Sequence, residues 1–362
     1  MKKVTMNKLR STESGFSLIE LMVTLVIFLM VTGTIWGLMQ VGRIDRNRSS
    51  RRSDILKNAR VGVHMIGRDA LNAGLSFNTN GAVVPDNFLS TRFDLGIPDA
   101  NVNRDILSGV FMGDNVFTND LTQVPGTRTD VITFAFRDME FNSGKTIALQ
   151  SVGAGSTSST VRLQTVGATE ADPIRPYDLY LIESDTSQVA IMATGKGANY
   201  IDAAVGDPLG INQPFNGTGQ AGTLLKKCPP VDEGDPPPEN CTTYNASLKR
   251  FFLVSYKVKQ DGTLVRISYG NNRDATAAEQ IVERPIAYNV EDLQFKFVLK
   301  DGTVTENPGA PGYENMENYN EIRQIVVNLK VQATENDEQM GIRQTIPLTA
   351  TFSTRNMGYD AG

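Results

Sequence analysis

The sequence predicts an α+β protein: a long N-terminal helix, apolar in its first half and amphipathic in its second, packed on an antiparallel β-sheet head with large loop insertions. Three observations predict it. From Phe16 to Met39 run 24 residues in which Glu20 is the sole charge. From Ile55 onward, Ile55, Ala59, Val63, Ile66, Ala70 and Ala73 recur at spacings of three and four, the stripe of a helix lying against something. Beyond Gly74 the texture changes to β-branched and aromatic runs broken by Asp-Gly, Pro and Asn.

The apolar run decides the N-terminal half. At about 1.5 Å rise per residue it spans a hydrocarbon core of roughly 30 Å. A carboxylate inside such a segment costs about 2.5 to 3.5 kcal/mol at a helix centre and less toward an end, so a chain that keeps one has a partner for it. A secretory signal peptide has an apolar region of about 7 to 15 residues and a small-x-small cleavage site. This run is longer, and its small residues, Gly33 and Gly37, are embedded among Thr32, Ile35 and Trp36. A plain single-span anchor explains the length but not an acid placed just after Gly15-Phe16. Charge does not orient the span: Lys2, Lys3, Lys8 and Arg10 precede it, and Arg43, Arg46, Arg48, Arg51 and Arg52 follow it. Gly33 and Gly37 form a small-xxx-small pair that lets helices approach closely in lipid, although glycine is also simply common in membrane helices.

Gly15-Phe16-Ser17-Leu18-Ile19-Glu20, with a short basic leader before it and an apolar helix after it, resembles the class III signal of type IV pilins and pseudopilins. The resemblance implies cleavage after Gly15 by a prepilin peptidase on the cytoplasmic side and N-methylation of the new terminus at Phe16. It implies that Glu20 compensates the amino terminus of a neighbouring subunit. It divides the chain into a cleaved leader (1–15), a transmembrane or assembly helix (16–42), a periplasmic stalk helix (43–75) and a β-rich head (76–362). Many major pilins carry a proline where this chain has Gly37, and the helix melts locally near there.

Residues 43–54 are polar nearly all round, so a helix here is solvated or packed between subunits. Asn72-Ala73-Gly74 is the expected stop, with Gly74 able to turn left-handed. The helix from Phe16 to about Ala73 would be roughly 85 to 90 Å long. Residues 76–127, rich in Asn, Asp, Gly and Pro, read as a decorated loop region with short elements. Val131–Phe136 is the first strong strand. Residues 151–160 read as a flexible turn, followed by a strand over 161–166. Leu179–Ile182 and Val189–Ala193 form an expected hairpin, and 195–247 is the largest expected insertion. Arg250–Lys259 and Thr263–Tyr269 flank Gln260-Asp261-Gly262, a chemistry suited to a tight reversal. Val290–Leu299, Ile322–Val331 and Gln344–Phe352 complete the strands. In the second of these, Ile325, Val327, Leu329 and Val331 are the expected buried face, with Ile322 in the opposite set. A sheet against the apolar stripe of the stalk lets each cover the other.

Composition narrows the chemistry. Hydrophobic content of 40% and charge of 21% describe an ordinary globular chain, and a net charge of −5 makes no case for nucleic acid as partner. The chain has one histidine and two cysteines. His64 lies on the stalk with no ligand at metal spacing on its face and reads as a stem residue. Cys228 and Cys241 bracket a proline-rich acidic loop and read as a disulfide, which would stabilise by about 3 kcal/mol in the chain-entropy model and fits an oxidising compartment. Zinc is the rival, with two sulfurs and no nearby histidine. Asp232, Glu233, Asp235 and Glu239 inside that loop do not follow the EF-hand spacing for calcium and read as a solvated acidic loop. Triads built on Ser-His-Asp or Cys-His would have to use His64. No Walker-type loop is present, and no stretch singles out a carboxylate pair. The sequence points to a non-enzyme with no cofactor and no metal.

Glu283-Arg284-Pro285-Ile286 leading into Val290-x-x-Leu293-x-Phe295-x-Phe297, the strand from Ile322, Phe352-Ser353-Thr354-Arg355-Asn356, and Asp69–Gly74 at the stalk's end resemble the PilW-type minor pilins. They also resemble the J-type minor pseudopilins of type II secretion. The resemblance implies a protein held in the bacterial inner membrane by one span, head in the periplasm, that then joins the pilus at the cell surface and helps initiate its assembly at or near the tip. Implied partners are the prepilin peptidase, other minor pilins and the major pilin, inner-membrane lipid and a tip adhesin. A pseudopilin of type II secretion, or a tethered binding or adhesion protein that never polymerises, are the alternatives.

Overall fold

The computed structural model describes residues 15–78, 81–93, 95, 105–122, 124–157, 159–166, 173–184, 188–214, 246–308, 319–337 and 341–357. The backbone divides into two units, one ending at Asp54 and the other beginning at Ile55. Helix α1 (Leu18–Asn72) belongs to both, and none of its residues before Ile55 is buried. Among the described residues of the first unit no second element is there to receive the apolar residues of the helix, and its polar stretch 43–54 has no stripe to bury.

The second unit holds the core. The stripe anticipated on α1 is buried throughout: Ile55, Ala59, Val63, Ile66, Ala70 and Ala73 are all at most 5% exposed. The helix ends where expected, with Gly74 in the left-handed region at φ +80° and its N–H donating to the Ala135 carbonyl. The elements that follow are β1 (Ala82–Val84), α2 (Phe88–Phe93), β2 (Asp105–Leu107), β3 (Val110–Thr118), β4 (Arg128–Arg137), β5 (Ile147–Ala154), β6 (Thr160–Thr165), β7 (Leu179–Glu183), β8 (Gln188–Met192), β9 (Gly195–Lys196) and β10 (Tyr200–Ala204). Then come β11 (Ser247–Val258), β12 (Leu264–Tyr269), β13 (Ile281–Ala287), β14 (Val290–Leu299), β15 (Val304–Thr305), β16 (Ile322–Asn336) and β17 (Arg343–Ser353).

These strands make two sheets, where one was expected. In the larger, β11 is the hub. Its first residues, Ser247–Arg250, pair with β7, and its later residues pair with β4 on one side and β12 on the other. The smaller sheet runs β15-β14-β16-β17. Every pairing among the described residues is antiparallel except β1 with β8. The buried part of α1 touches both sheets. A Cβ on Gly62 would meet Leu264 of β12 at 3.0 Å and Leu329 of β16 at 3.5 Å, and one on Gly67 would overlap the Phe352 ring of β17 at 2.1 Å.

A polar seam ties the two sheets directly. Asn119 Nδ2 donates to the carbonyls of Val290 and Glu291, and Gln332 Nε2 donates to Leu121 O. Asp130 on β4 accepts from Asn115 N–H and, across the seam, from Phe295 N–H of β14, each at 2.8 Å. Asp130 is 1% exposed. Burial raises its pKa to about 7 despite those two donors, and the neighbouring carboxylates of Asp114 and Asp292 push the same way.

Both terminal strands beside α1 have a blunted free edge. Thr354 N–H bonds Arg323 O and Gly270 N–H bonds Gln280 O. Counting by twos from these pairs along the registers, Pro347 of β17 and Pro285 of β13 have their nitrogens facing away from the partner strand. Each proline removes a donor from the open edge and none from the ladder, which disfavours pairing with another chain.

Four expectations need correction. Residues 76–127 hold the short elements expected of them, β1, α2 and β2, but also one long strand: β3 is nine residues long, interrupted by a bulge at which Asn115 adopts φ +53°. Gly113-Asp114-Asn115 carries turn chemistry, but Asp130 holds it within the strand. Residues 151–154 belong to β5 rather than to a turn, because Val152 pairs with Leu163 and both are buried. The expected insertion 195–247 begins with β9 and β10, the latter pairing along all its length with β6. Ile322 is fully buried, because the register irregularity opposite Val298/Leu299 shifts the face of β16 before Ile325. The set Ile325, Val327, Leu329 and Val331 is buried as expected.

Candidate functional site

The start of α1 is built by local sequence. Residues 15–17 are not helical, and the helix begins at Leu18. Ser17 stands at the cap, with Glu20 three positions inside, the spacing at which an acid reaches back to the cap's own N–H. It does so here: the Ser17 N–H donates to Glu20 Oε2 at 3.0 Å. The carboxylate thereby faces the helix start, where unsatisfied N–H groups favour negative charge.

Beyond Glu20, polarity is silenced within the helix. The hydroxyls of Thr24, Thr32 and Thr34 each donate to a carbonyl one turn earlier, at 3.0, 2.7 and 2.8 Å. In a medium without water each of those donors would otherwise be unsatisfied. The helix is long and apolar enough to cross a membrane. Its large side chains lie open, from Phe16 at 85% exposed through Leu18, Phe28, Trp36 and Leu38. At Gly33 and Gly37, one turn apart, a Cβ would meet nothing within 4 Å. An exposed apolar surface of this extent is an interaction surface, for lipid or for other helices.

Residues 10–36 match the family model described as the prokaryotic N-terminal methylation motif. The chain has a type IV pilin-like amino terminus. No curated protein matches the chain. The motif implies processing by a prepilin peptidase and assembly with other pilins, and with the one apolar helix it fits a membrane-anchored pilin-like protein. The family it marks is structural rather than catalytic.

The other residues singled out in the sequence fall apart from this site. Cys228, Cys241 and the acids between them lie outside the described residues. His64 is exposed on α1. Among the described residues no cluster of three or more His, Cys, Asp or Glu is arranged to hold a metal ion.

A second set, which sequence reasoning missed, fixes α1 to the head. Asp69, 2% exposed, accepts through Oδ1 from Arg68 at 3.1 Å and through Oδ2 from Tyr256 OH at 2.6 Å and Arg266 Nε at 2.8 Å. The Tyr256 hydroxyl also lies 2.9 Å from Met65 O. Burial, and then the Asp69 charge, push the Tyr256 pKa up; burial opposes the Arg266 cation, and Asp69 outweighs it. About three turns toward the N-terminus, Asn58 pairs through its amide with both the O and the N–H of Tyr288. The signal for Asp69 was present: it is an acid set between Ile66 and Ala70 on the apolar side of the helix, where a charge needs a partner.

Proposed function

We propose that this protein is a minor type IV pilin of the PilW type, which is cut after Gly15, methylated at Phe16, and helps initiate pilus assembly from the inner membrane. The observation that carries the reading is the exposed apolar segment of α1 up to Met39, whose single carboxylate, Glu20, is already turned toward the end at which cleavage creates a new amine. In lipid that carboxylate has only its own helix start as partner. In a bundle of like helices it meets the amino terminus of a neighbour, so a charge pair replaces solitary burial and the helix prefers other subunits to lipid. Gly33 and Gly37 offer the close-approach face for that packing. The head, with its insertions, suits a place at or near the tip, where it does not have to fit a repeating lattice. A Cys228–Cys241 disulfide would belong to the same periplasmic reading.

The test is the intact mass of the protein recovered from membranes after co-expression with a prepilin peptidase. Loss of residues 1–15 plus one methyl group is the expected result, and a polypeptide still beginning at Met1 would sink the proposal. The type II secretion reading shares this chemistry. Deletion that abolishes pili supports the pilus, and deletion that abolishes secretion with pili intact supports the pseudopilin.

A further inference from the structure

On the face of β11, β12 and β13 lies a cleft of about 170 Å³, with Phe252, Val254 and Val282 among its lining residues together with Arg266 and Arg284. The register places Arg266 and Arg284 directly opposite one another on adjacent strands, so their Cβ atoms are about 5 Å apart on one face. Like charges in that relation repel unless an anion compensates them. Among the described residues the carboxylate that pairs with Arg266 is Asp69, and its capacity is taken: Oδ1 serves Arg68, and Oδ2 serves Arg266 and Tyr256. Arg266, 15% exposed, turns one further N–H to Ser268 Oγ at 2.8 Å. The Arg284 side chain is exposed and makes no hydrogen bond or ion pair among the described residues. Asp69 therefore serves two guanidinium groups, Arg68 and Arg266, and leaves Arg284 without a carboxylate among the described residues, while the two arginines lining the cleft stand over an apolar floor.

We propose that this cleft binds a second carboxylate, with Arg284 as its principal ligand and Arg266 beside it. A planar guanidinium fork matches the two oxygens of a carboxylate, and two forks a strand apart can grip one group between them. The volume admits a group of side-chain size rather than a large ligand, and Phe252, Val254 and Val282 would cover the methylenes of such a group. The carboxylate can come from a free short-chain acid or from an Asp or Glu presented by another protein chain. Partial enclosure makes the pair stronger than an open surface ion pair, which is worth little. The proposal does not depend on the pilin reading.

The experiment is calorimetric titration of the full-length protein in detergent with three probes: butyrate, the capped peptide acetyl-Ala-Glu-Ala-amide, and its Gln counterpart. Saturable binding of a carboxylate probe, absent with the Gln peptide and weakened about tenfold or more in Arg284→Gln, is the expected result. Arg284→Lys, which keeps the charge and loses the fork, should fall between. Butyrate binding as tightly as the Glu peptide assigns the site to free acids, and preference for the peptide assigns it to a protein side chain. No saturable binding by either probe, or equal binding in wild type and Arg284→Gln, overturns the proposal. Thermal melting without probe gives a second reading. Arg284→Gln should melt at or above the wild-type temperature because a repulsion is removed, and a clear drop would mean that Arg284 already has a structural partner.

Discussion

Glu20 shows how much one side chain decides here. It caps its own helix through the Ser17 N–H, so it contributes to the start of α1 while remaining available to an amine arriving at the same end. Glu20→Gln keeps the size and the capping oxygen but removes the charge. The expected outcome is normal processing with a loss of at least about tenfold in the protein recovered in sheared filaments, read by immunoblot against the membrane fraction. Equal recovery would mean that charge pairing is not what draws the helix out of lipid. Gly67 is decisive for a different reason, since its missing side chain is where the Phe352 ring sits. Gly67→Ala forces that ring or the helix to shift, and overpacking of this kind costs about 1 to 3 kcal/mol. A fall in the melting temperature of the head, relieved in part by a second change of Phe352→Leu, is the expected result.

At the scale of elements, α1 is held against β11 and β12 by a buried charge, and the two sheets are joined through another. Removing one partner of the Asp69–Tyr256–Arg266 group leaves an uncompensated buried charge, which costs about 3 to 5 kcal/mol. Asp69→Ala should accordingly destabilise the head far more than Tyr256→Phe, which keeps both charges; denaturant melts that rank the two the other way would contradict this. Asp130 at the join of β4 and β14 makes stability depend on pH. Its folded pKa of about 7 lies above the unfolded value of 3.8, so the fold favours the protonated form. The resulting stabilisation is fully present below about pH 4 and is lost as pH rises through 7, an effect on the order of 2 to 4 kcal/mol. Asp130→Asn should flatten the change in stability between pH 5 and 8. It should also lower stability at pH 5, because the amide can no longer accept at both Asn115 and Phe295. A wild-type head whose stability is unchanged from pH 5 to 8 would refute the assignment.

For the whole molecule, the described core begins at Ile55, and no residue of α1 before it is buried. A fragment of residues 55–362 is therefore expected to fold without the apolar segment. It should remain soluble without detergent and melt cooperatively within a few degrees of the full-length protein, as followed by circular dichroism. Failure to fold would show that residues before Ile55 support the head. Such a fragment separates the tests of the two proposals: it keeps the residues of the arginine cleft and loses the apolar segment with Glu20.

By itself the sequence determined the class of fold, the helix with its apolar and amphipathic halves, its stop at Gly74, the main hairpins and the motif at the amino terminus. Each of these rests on local physics: hydrophobic period, cap spacing, turn residues, and a charge standing alone in an apolar run. Tertiary structure alone decided the rest. β3 survives its Gly113-Asp114-Asn115 interruption because Asp130, distant in sequence, holds the bulge. Ile322 is buried because a register irregularity turns β16. The split into two sheets, the seating of Phe352 on Gly67, and the sharing of Asp69 among three partners depend on contacts between residues far apart in the chain. No periodicity within one segment encodes them, since burial and charge compensation are set by what the other elements bring to the same place.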